Sequence, residues 1–392
     1  MRNVVVLSGA RTAIGDYGGA LKDLAPATLA AIAIREAITR ASVDSDKIGH
    51  LVAGHVIPTE AQDMYLARVA ALEAGLPQSV AALTLNRVCG SGLQAIISAA
   101  QAVMLEDTEV AIAAGAESMS RGGYLLPALR WGQRMQDSTA VDMMVGALTD
   151  PFDRVHMGIT AENIAERWSI TREQQDRFAL ESHRRAIHAV HNGYFREQIV
   201  PIEVSTREGV AMFDTDQHPR DNISMETLGK LRPVFREDGT VTAGNASGIN
   251  DGAAALVLME ERAAERNHHQ PMARLVAYGH AGVNPRYMGI GPVPAVKQAL
   301  NRAGLDLAEM DVIESNEAFA VQACAVAREL NFDPDKVNPN GGAVALGHPI
   351  GASGCILAIK AIYELQRING RYALVTLCIG GGQGIAAIFE KL

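Results

Sequence analysis

Apolar residues recur along this chain in two rhythms. Segments 27–40 and 92–105 place them at spacings of three and four, which predicts amphipathic helices, whereas 48–53 and 110–114 are short apolar runs that predict buried strands. The same order returns later, helix-like at 293–303 and 354–365 and strand-like at 312–314 and 372–378. One offset relates the two stretches. Ala33-Ile34-Arg35-Glu36-Ala37-Ile38 is echoed by Ala295-Val296-Lys297-Gln298-Ala299-Leu300, a shift of 262 residues that also carries Ser91-Gly92 onto Ser353-Gly354 and 110–114 onto 372–376. Three matches at one offset predict an internal duplication.

Helices alternating with strands that are apolar on both faces predict an α/β fold, with mostly parallel sheets sandwiched by helices and two similar halves side by side. The halves are expected at 1–120, completed by about 244–270, and at 271–392, with an inserted loop domain at 121–243. That insert holds both tryptophans, Trp131 and Trp168, a helix-like stretch at 173–191 and a turn-rich stretch at 214–222. Its first part, 122–153, has little periodicity and several apolar residues, which suits a subunit contact.

Composition narrows the function. With 392 residues and a net charge of −9 the chain repels polyanions, so nucleic acid is not expected as a partner. No apolar run reaches the roughly 18–20 residues of a membrane span, and neither a secretory leader nor a C-terminal Ser-Lys-Leu address is seen, so the cytoplasm is the expected location. Four scattered cysteines fit neither a disulfide scaffold nor a zinc knuckle, and no metal is expected.

Each cysteine therefore has to be explained singly. Cys89 lies between a strand-like segment at 82–86 and the helix opened by Gly90-Ser91-Gly92, where unpaired N–H groups and the helix dipole favour a thiolate. Small residues after it let a carbonyl approach those donors. The corresponding junction in the second half carries His348, so a thiol and an imidazole can converge on one cleft. Cys378 ends the last repeat strand and leads into Gly380-Gly381-Gly382, followed by strand-like residues rather than a helix, which argues against a phosphate-binding loop. Cys324 and Cys355 sit in apolar helical stretches and are expected in the core.

Four segments carry a family resemblance: Asn86-Arg87-Val88-Cys89-Gly90-Ser91-Gly92-Leu93-Gln94-Ala95, Asn316-Glu317-Ala318-Phe319-Ala320, Gly347-His348-Pro349-Ile350-Gly351-Ala352-Ser353-Gly354 and Cys378-Ile379-Gly380-Gly381-Gly382-Gln383-Gly384. Together, spanning essentially the whole chain, they resemble the thiolases. His156-Met157-Gly158 resembles the biosynthetic, acetoacetyl-CoA-forming branch and the broader β-ketothiolases.

The resemblance implies a duplicated βαβαβ core in five layers and a reversible condensation of two acetyl-CoA to acetoacetyl-CoA, with longer 3-ketoacyl-CoA as the alternative range. It implies Cys89 as nucleophile, His348 as its base, Cys378 as the base toward the second substrate, Asn316 as holder of a water, and the N–H groups of Cys89 and Gly380 as an oxyanion site. Coenzyme A contacts are implied at Leu148, His156, Arg220, Ala243, Ser247, Ala318 and Phe319. No tightly bound cofactor is implied; acyl-CoA is the substrate and a homotetramer, a dimer of dimers, the assembly. A decarboxylating condensing enzyme of the same superfamily would not need Cys378 and would carry a second histidine where Asn316 stands. A non-enzymatic acyl-CoA carrier would need neither cysteine.

Overall fold

The computed structural model describes residues 2–206 and 209–392. Its first half runs β1 (Val4–Arg11), α1 (Pro26–Ala41), β2 (Ile48–Gly54), α2 (Leu66–Glu73), β3 (Ala81–Leu85), α3 (Ser91–Met104) and β4 (Val110–Ser118). The insert contributes α4 (Met157–Trp168) and α5 (Arg172–His191), and the half closes with β5 (Asn250–Glu260). The second half runs β6 (Ala273–Gly282), α6 (Pro292–Ala303), β7 (Val312–Ser315), α7 (Ala320–Leu330), α8 (Ser353–Ile368), β8 (Tyr372–Ile379) and β9 (Gln383–Lys391).

The duplication holds at the level of single residues. α1 and α6 both open on a proline, whose fixed φ suits the first turn. They end on Ser42 and Gly304, residues 262 apart, each left-handed with φ of 52° and 66°. Strand order repeats as well: one continuous sheet reads β7-β8-β9-β6-β1-β5-β4-β2-β3, so that β6 and β1, the equivalent strands of the two halves, meet at its centre. They pair antiparallel through Val5 with Arg274 and Val6 with Ala273, the arrangement of two halves related by a local two-fold.

Each half-sheet is mixed rather than mostly parallel. Parallel pairing is confined to β2 with β3 and β4, and to β7 with β8; β5 and β9 run antiparallel to their neighbours. The cause is local in the second half, where β9 follows β8 after a tight glycine turn, too short for a parallel crossover.

Alternation along the strands sorts side chains into layers. Val4, Val6, Ala111, Ala113, Leu256 and Leu258 of the first half share a core with Ala373, Val375, Leu377, Ala387 and Phe389 of the second, and α3 and α8 fill it between them. The alternate residues Val5, Ile112, Ala114 and Val257 face α1 and α2, and Leu374, Ala386 and Ile388 face α6 and α7. Helix, sheet, helix, sheet, helix gives five layers.

The central layer brings the two halves' chemistry together. α3 and α8 cross where Gly92 meets Gly354, the pair singled out by the offset: a Cβ on Gly354 would lie 2.0 Å from the Leu93 nitrogen, and one on Gly92 would lie 2.7 Å from that of Cys355. Backbones this close leave room only for glycine, and both helices begin there. The loops that feed them are therefore neighbours. The insert is tied to this core by buried Arg11, whose guanidinium grips Asp216 through two bonds of 2.7 and 2.9 Å. No helix among the described residues is long and apolar enough to cross a membrane.

Candidate active site

Cys89 is presented by a strained turn. Val88, β-branched, has φ of 48°, a region such residues avoid. Three bonds hold it there: Asn86 Oδ1 accepts from the Val88 N–H at 2.8 Å, Ser91 Oγ accepts from the Arg87 N–H at 2.8 Å, and the same hydroxyl donates to the Val88 carbonyl at 2.7 Å. The sulfur, half-buried, receives the backbone N–H groups of Gly380 and of Cys89 itself. Burial nevertheless outweighs them and pushes the thiol up to about 11, with the Glu117 carboxylate adding to the rise. The thiolate expected from the helix N-terminus alone is thus not the resting state; Cys89 holds its proton at neutral pH.

His348 is locked from several sides. Its backbone N–H donates to Asn250 Oδ1 at 2.9 Å, and three residues further on Gly351 donates to Glu117 Oε2 at 2.9 Å, so strands of the first half hold the second half's loop. The ring is buried, with Nδ1 2.6 Å from Ser353 Oγ and Nε2 3.4 Å from Asn316 Nδ2. Burial drives its pKa down to about 4, so it stays neutral. Asn316 Oδ1 is buried without a partner among the described residues. Beside it, Glu317 explains its own place in the motif: it accepts from Ser182 Oγ, Asn338 Nδ2 and the Val344 N–H, at 2.7, 2.8 and 3.1 Å.

Cys378 is buried beside Met157, Ala318 and Phe319. Burial first, and the nearby Cys89 second, hold its thiol far above the ordinary range. The two thiols are therefore neighbours. Cys355 is buried in the central layer, and Cys324, half-buried at the edge of another cluster, is pushed up to about 12 by burial; both are packing residues.

A cavity of about 300 Å³ opens over these groups. Cys89, His348 and Gly380 line its floor, and Leu148, His156, Ala243, Ser247, Ala318 and Phe319 line its walls. Loops from the two halves meet in those walls, where Ser247 donates to the Ala318 carbonyl at 3.0 Å and Ala320 donates to that of Asn245 at 2.9 Å. Arg220 stands apart. It lines a second cavity with His183, His218 and Asn222, which touches the first at Ala243. Asn316 and Cys378 are not part of the main cavity's lining: Asn316 borders a small separate void, and Cys378 is buried in the cluster that contains the lining residues Met157, Met288, Ala318 and Phe319.

Several contributors were not legible as site residues. Phe235 stacks on His156 with ring centres 4.6 Å apart, and the close fit requires Gly158, whose Cβ would sit 2.2 Å from that ring. His156 Nδ1 accepts from the Gly158 N–H at 3.0 Å, capping α4 and leaving Nε2 to face outward from that bond. Val88, Met157 and Met288 add to the apolar lining. Val88 carried no signal, because strain depends on φ and not on residue type. Ser353 did, since it shares the 262-residue offset with Ser91.

Known proteins align over this entire framework. Residues 4–262 match the thiolase N-terminal domain and 269–391 the thiolase C-terminal domain. The chain is 62% identical to a β-ketothiolase, BktB, of Cupriavidus necator and 48% identical to an acetyl-CoA acetyltransferase of Pseudomonas aeruginosa, each over the whole of both chains. The crystal structure of human mitochondrial 3-ketoacyl-CoA thiolase superposes with a TM-score of 0.98 at 43% identity, covering 100% of this chain and 99% of that one. The acetyl-CoA acetyltransferase of Bacillus anthracis does so with 0.98 at 46%, with the same coverage. Matches that run unbroken through both halves, and through every segment that shapes the cavity, leave one conclusion: this chain belongs to the thiolase family and is an enzyme of acyl-CoA condensation and thiolysis.

Proposed function

We propose that the protein is a broad-range β-ketothiolase, for which the condensation of two acetyl-CoA to acetoacetyl-CoA is one reaction rather than the boundary of its range. The observation that carries the chemistry is the convergence of Cys89, His348 and the Gly380 N–H on one cavity. The breadth is supported by the lining beside Cys89, where Met157 and Met288 supply unbranched side chains that adapt to chains of different length. Greater similarity to the β-ketothiolase than to the acetyltransferase points the same way.

In thiolysis, the Cys89 sulfur attacks the 3-keto carbonyl while its proton passes to His348 Nε2, which is neutral and able to accept it. The oxyanion forms where the N–H groups of Cys89 and Gly380 already point. The C2–C3 bond breaks and the departing acetyl-CoA enolate takes a proton from Cys378, a thiol kept protonated by burial. Coenzyme A then gives its thiol proton to the Cys378 thiolate and attacks the Cys89 thioester; the Cys89 sulfur leaves, taking back the proton held on His348, and acyl-CoA departs. Condensation is the reverse, and there the raised Cys378 pKa makes its thiolate a stronger base toward a carbon acid. Two thiols are required because one is acylated when the other moves a proton. The orphaned Oδ1 of Asn316 fits a bound water beside His348, which we assign to the thioester oxygen of the enolate.

We assign the coenzyme to the cavity walls, with Arg220 and its neighbouring cavity toward the charged end. The partner we propose is a further copy of the chain, in a cytoplasmic homotetramer. Leu125, Leu129, Trp131 and Met135 stand exposed on 122–153, Trp131 by 91%, and β3 ends the sheet with Leu83 exposed. The chain divides as 1–120 with 244–270, 121–243 and 271–392. Substrate range is tested by thiolysis of acetoacetyl-, 3-ketovaleryl- and 3-ketohexanoyl-CoA. A pocket that rejects one methylene discriminates by roughly 10- to 200-fold; a smaller kcat/KM ratio between the first two is expected, and cleavage of acetoacetyl-CoA alone would restrict the enzyme to acetyl transfer.

A further inference from the structure

His348 can accept a proton from Cys89 only if Nε2 carries a lone pair, and the choice of tautomer is made on the other side of the ring. Ser353 Oγ lies 2.6 Å from Nδ1 and 2.9 Å from the Pro349 carbonyl, which also receives the Ala352 and Ser353 N–H groups; because that carbonyl can only accept, we assign the hydroxyl proton to it. A hydroxyl so committed meets Nδ1 as an acceptor. That assignment places the ring proton on Nδ1. Asn316 agrees from the opposite side, because its Nδ2, a donor, faces Nε2 at 3.4 Å.

We propose that Ser353 is a positioning residue of the acyl-transfer step, which holds His348 in the tautomer and orientation that leave Nε2 free toward Cys89. When Nε2 takes the proton, the Nδ1–H that the imidazolium also requires is already bonded, and nothing has to reorganise. Ser353 is buried and lies outside the main cavity's lining, against a void of about 10 Å³ shared with Asn316 and Lys360, so it acts through the imidazole and not on substrate.

Its counterpart across the duplication supports the reading. Ser91 also opens a helix, and its hydroxyl likewise accepts from one side and donates to the other, but both partners are backbone groups of the turn that presents Cys89. Each half begins its central helix with a serine that pins the chemistry-bearing loop. Only in the second half does it pin a side chain.

This inference rests on His348 being the base, and the test separates the two. For the full-length Ser353→Ala enzyme, thiolysis kcat should fall about 10- to 100-fold, the loss typical when a partner that orients an imidazole is removed, with KM within about twofold of wild type because no cavity contact is lost. The rate of Cys89 acylation by acetyl-CoA should fall in parallel, and Ser353→Thr, which keeps the hydroxyl, should recover most of both. A Ser353→Ala kcat within twofold of wild type, a loss confined to KM, or a threonine variant no better than alanine overturns the assignment. His348→Ala run alongside tells which reading failed: if it too acylates Cys89 at the wild-type rate, the base has been misassigned, whereas if it alone is impaired, only the role of Ser353 is lost.

Discussion

The loops that lead into α3 and α8 are set side by side by the duplication, and each runs into a helix opened by a serine. A strand, β3, precedes Cys89 whereas a short helical turn, Ala343–Leu346, precedes His348, and the two hold their reactive side chains differently. At the Cys89 junction a strained Val88 lifts a half-buried sulfur toward the cavity, and its hydrogen bonds are spent on the backbone of the turn. At the His348 loop the side chain is buried and held at Nδ1 by Ser353, with Asn316 Nδ2 3.4 Å from Nε2, and the loop backbone is tied through Asn250 and Glu117 to the other half. In the proposed mechanism one loop presents a group that forms and breaks a covalent bond, and the other fixes a group that only holds a proton. A repeated fold thus supplies two equivalent places next to each other, and local residues decide which is exposed and which is locked.

That comparison makes demands of different sizes. With the presented thiol proposed as the nucleophile, Cys89→Ala should lose roughly 10⁶-fold in kcat in both directions, as when a covalent nucleophile is removed, while thermal unfolding moves little. Activity within a thousandfold of wild type would move the nucleophile elsewhere. Cys378→Ser separates the thiols: it should still become acetylated on Cys89, yet lose condensation by about 100-fold or more together with exchange of the acetyl-CoA methyl protons into deuterated water. Persistence of that exchange transfers the carbon-acid role to another group, His348 first.

The closeness of the junctions rests on the α3–α8 crossing. Gly354→Ala forces a methyl against the Leu93 backbone and should cost about 3 kcal/mol of stability by urea denaturation; a loss under 0.5 kcal/mol would mean the helices separate easily. The balance of burial and N–H donors at Cys89 is read by its alkylation with iodoacetamide in a Cys378→Ser background. Because burial raises the thiol to about 11, the reactive thiolate is the minor form across neutral pH and grows as pH rises. The rate should climb by about tenfold per pH unit from 7 to 10, and a plateau already reached near pH 8 would show that the donors win. The smallest effect is expected farthest from both junctions, where Arg220→Ala should raise KM for acyl-CoA roughly three- to tenfold with kcat unchanged.

Much of the framework could be read before the fold was seen, for identifiable reasons. Strands buried on both faces, such as β4 and β8, carry unbroken apolar runs over most of their length, and the 262-residue offset marked Gly92 and Gly354, the residues at which the halves touch. Strand direction was less accessible, because apolar runs look alike whether a neighbour runs parallel or antiparallel. α4 escaped notice since its buried face includes Thr160 and Glu162, the latter paired with the Thr240 and Val241 N–H groups far along the chain. At the site, reactive residues announced themselves by type. Their supports did not: the Phe235 stack on His156, the Val88 strain and the displacement of Arg220 into a separate cavity all depend on contacts between distant segments.

The central claim is that the presented thiol and not the buried one becomes acylated. Incubation of wild-type enzyme with labelled acetyl-CoA, followed by acid quenching and peptide mass mapping, reads this directly. The account predicts one acetyl group per chain on the peptide containing Cys89, present also in Cys378→Ser and absent from Cys89→Ala. Label on the Cys378 peptide, or acetylation that survives Cys89→Ala, would contradict it.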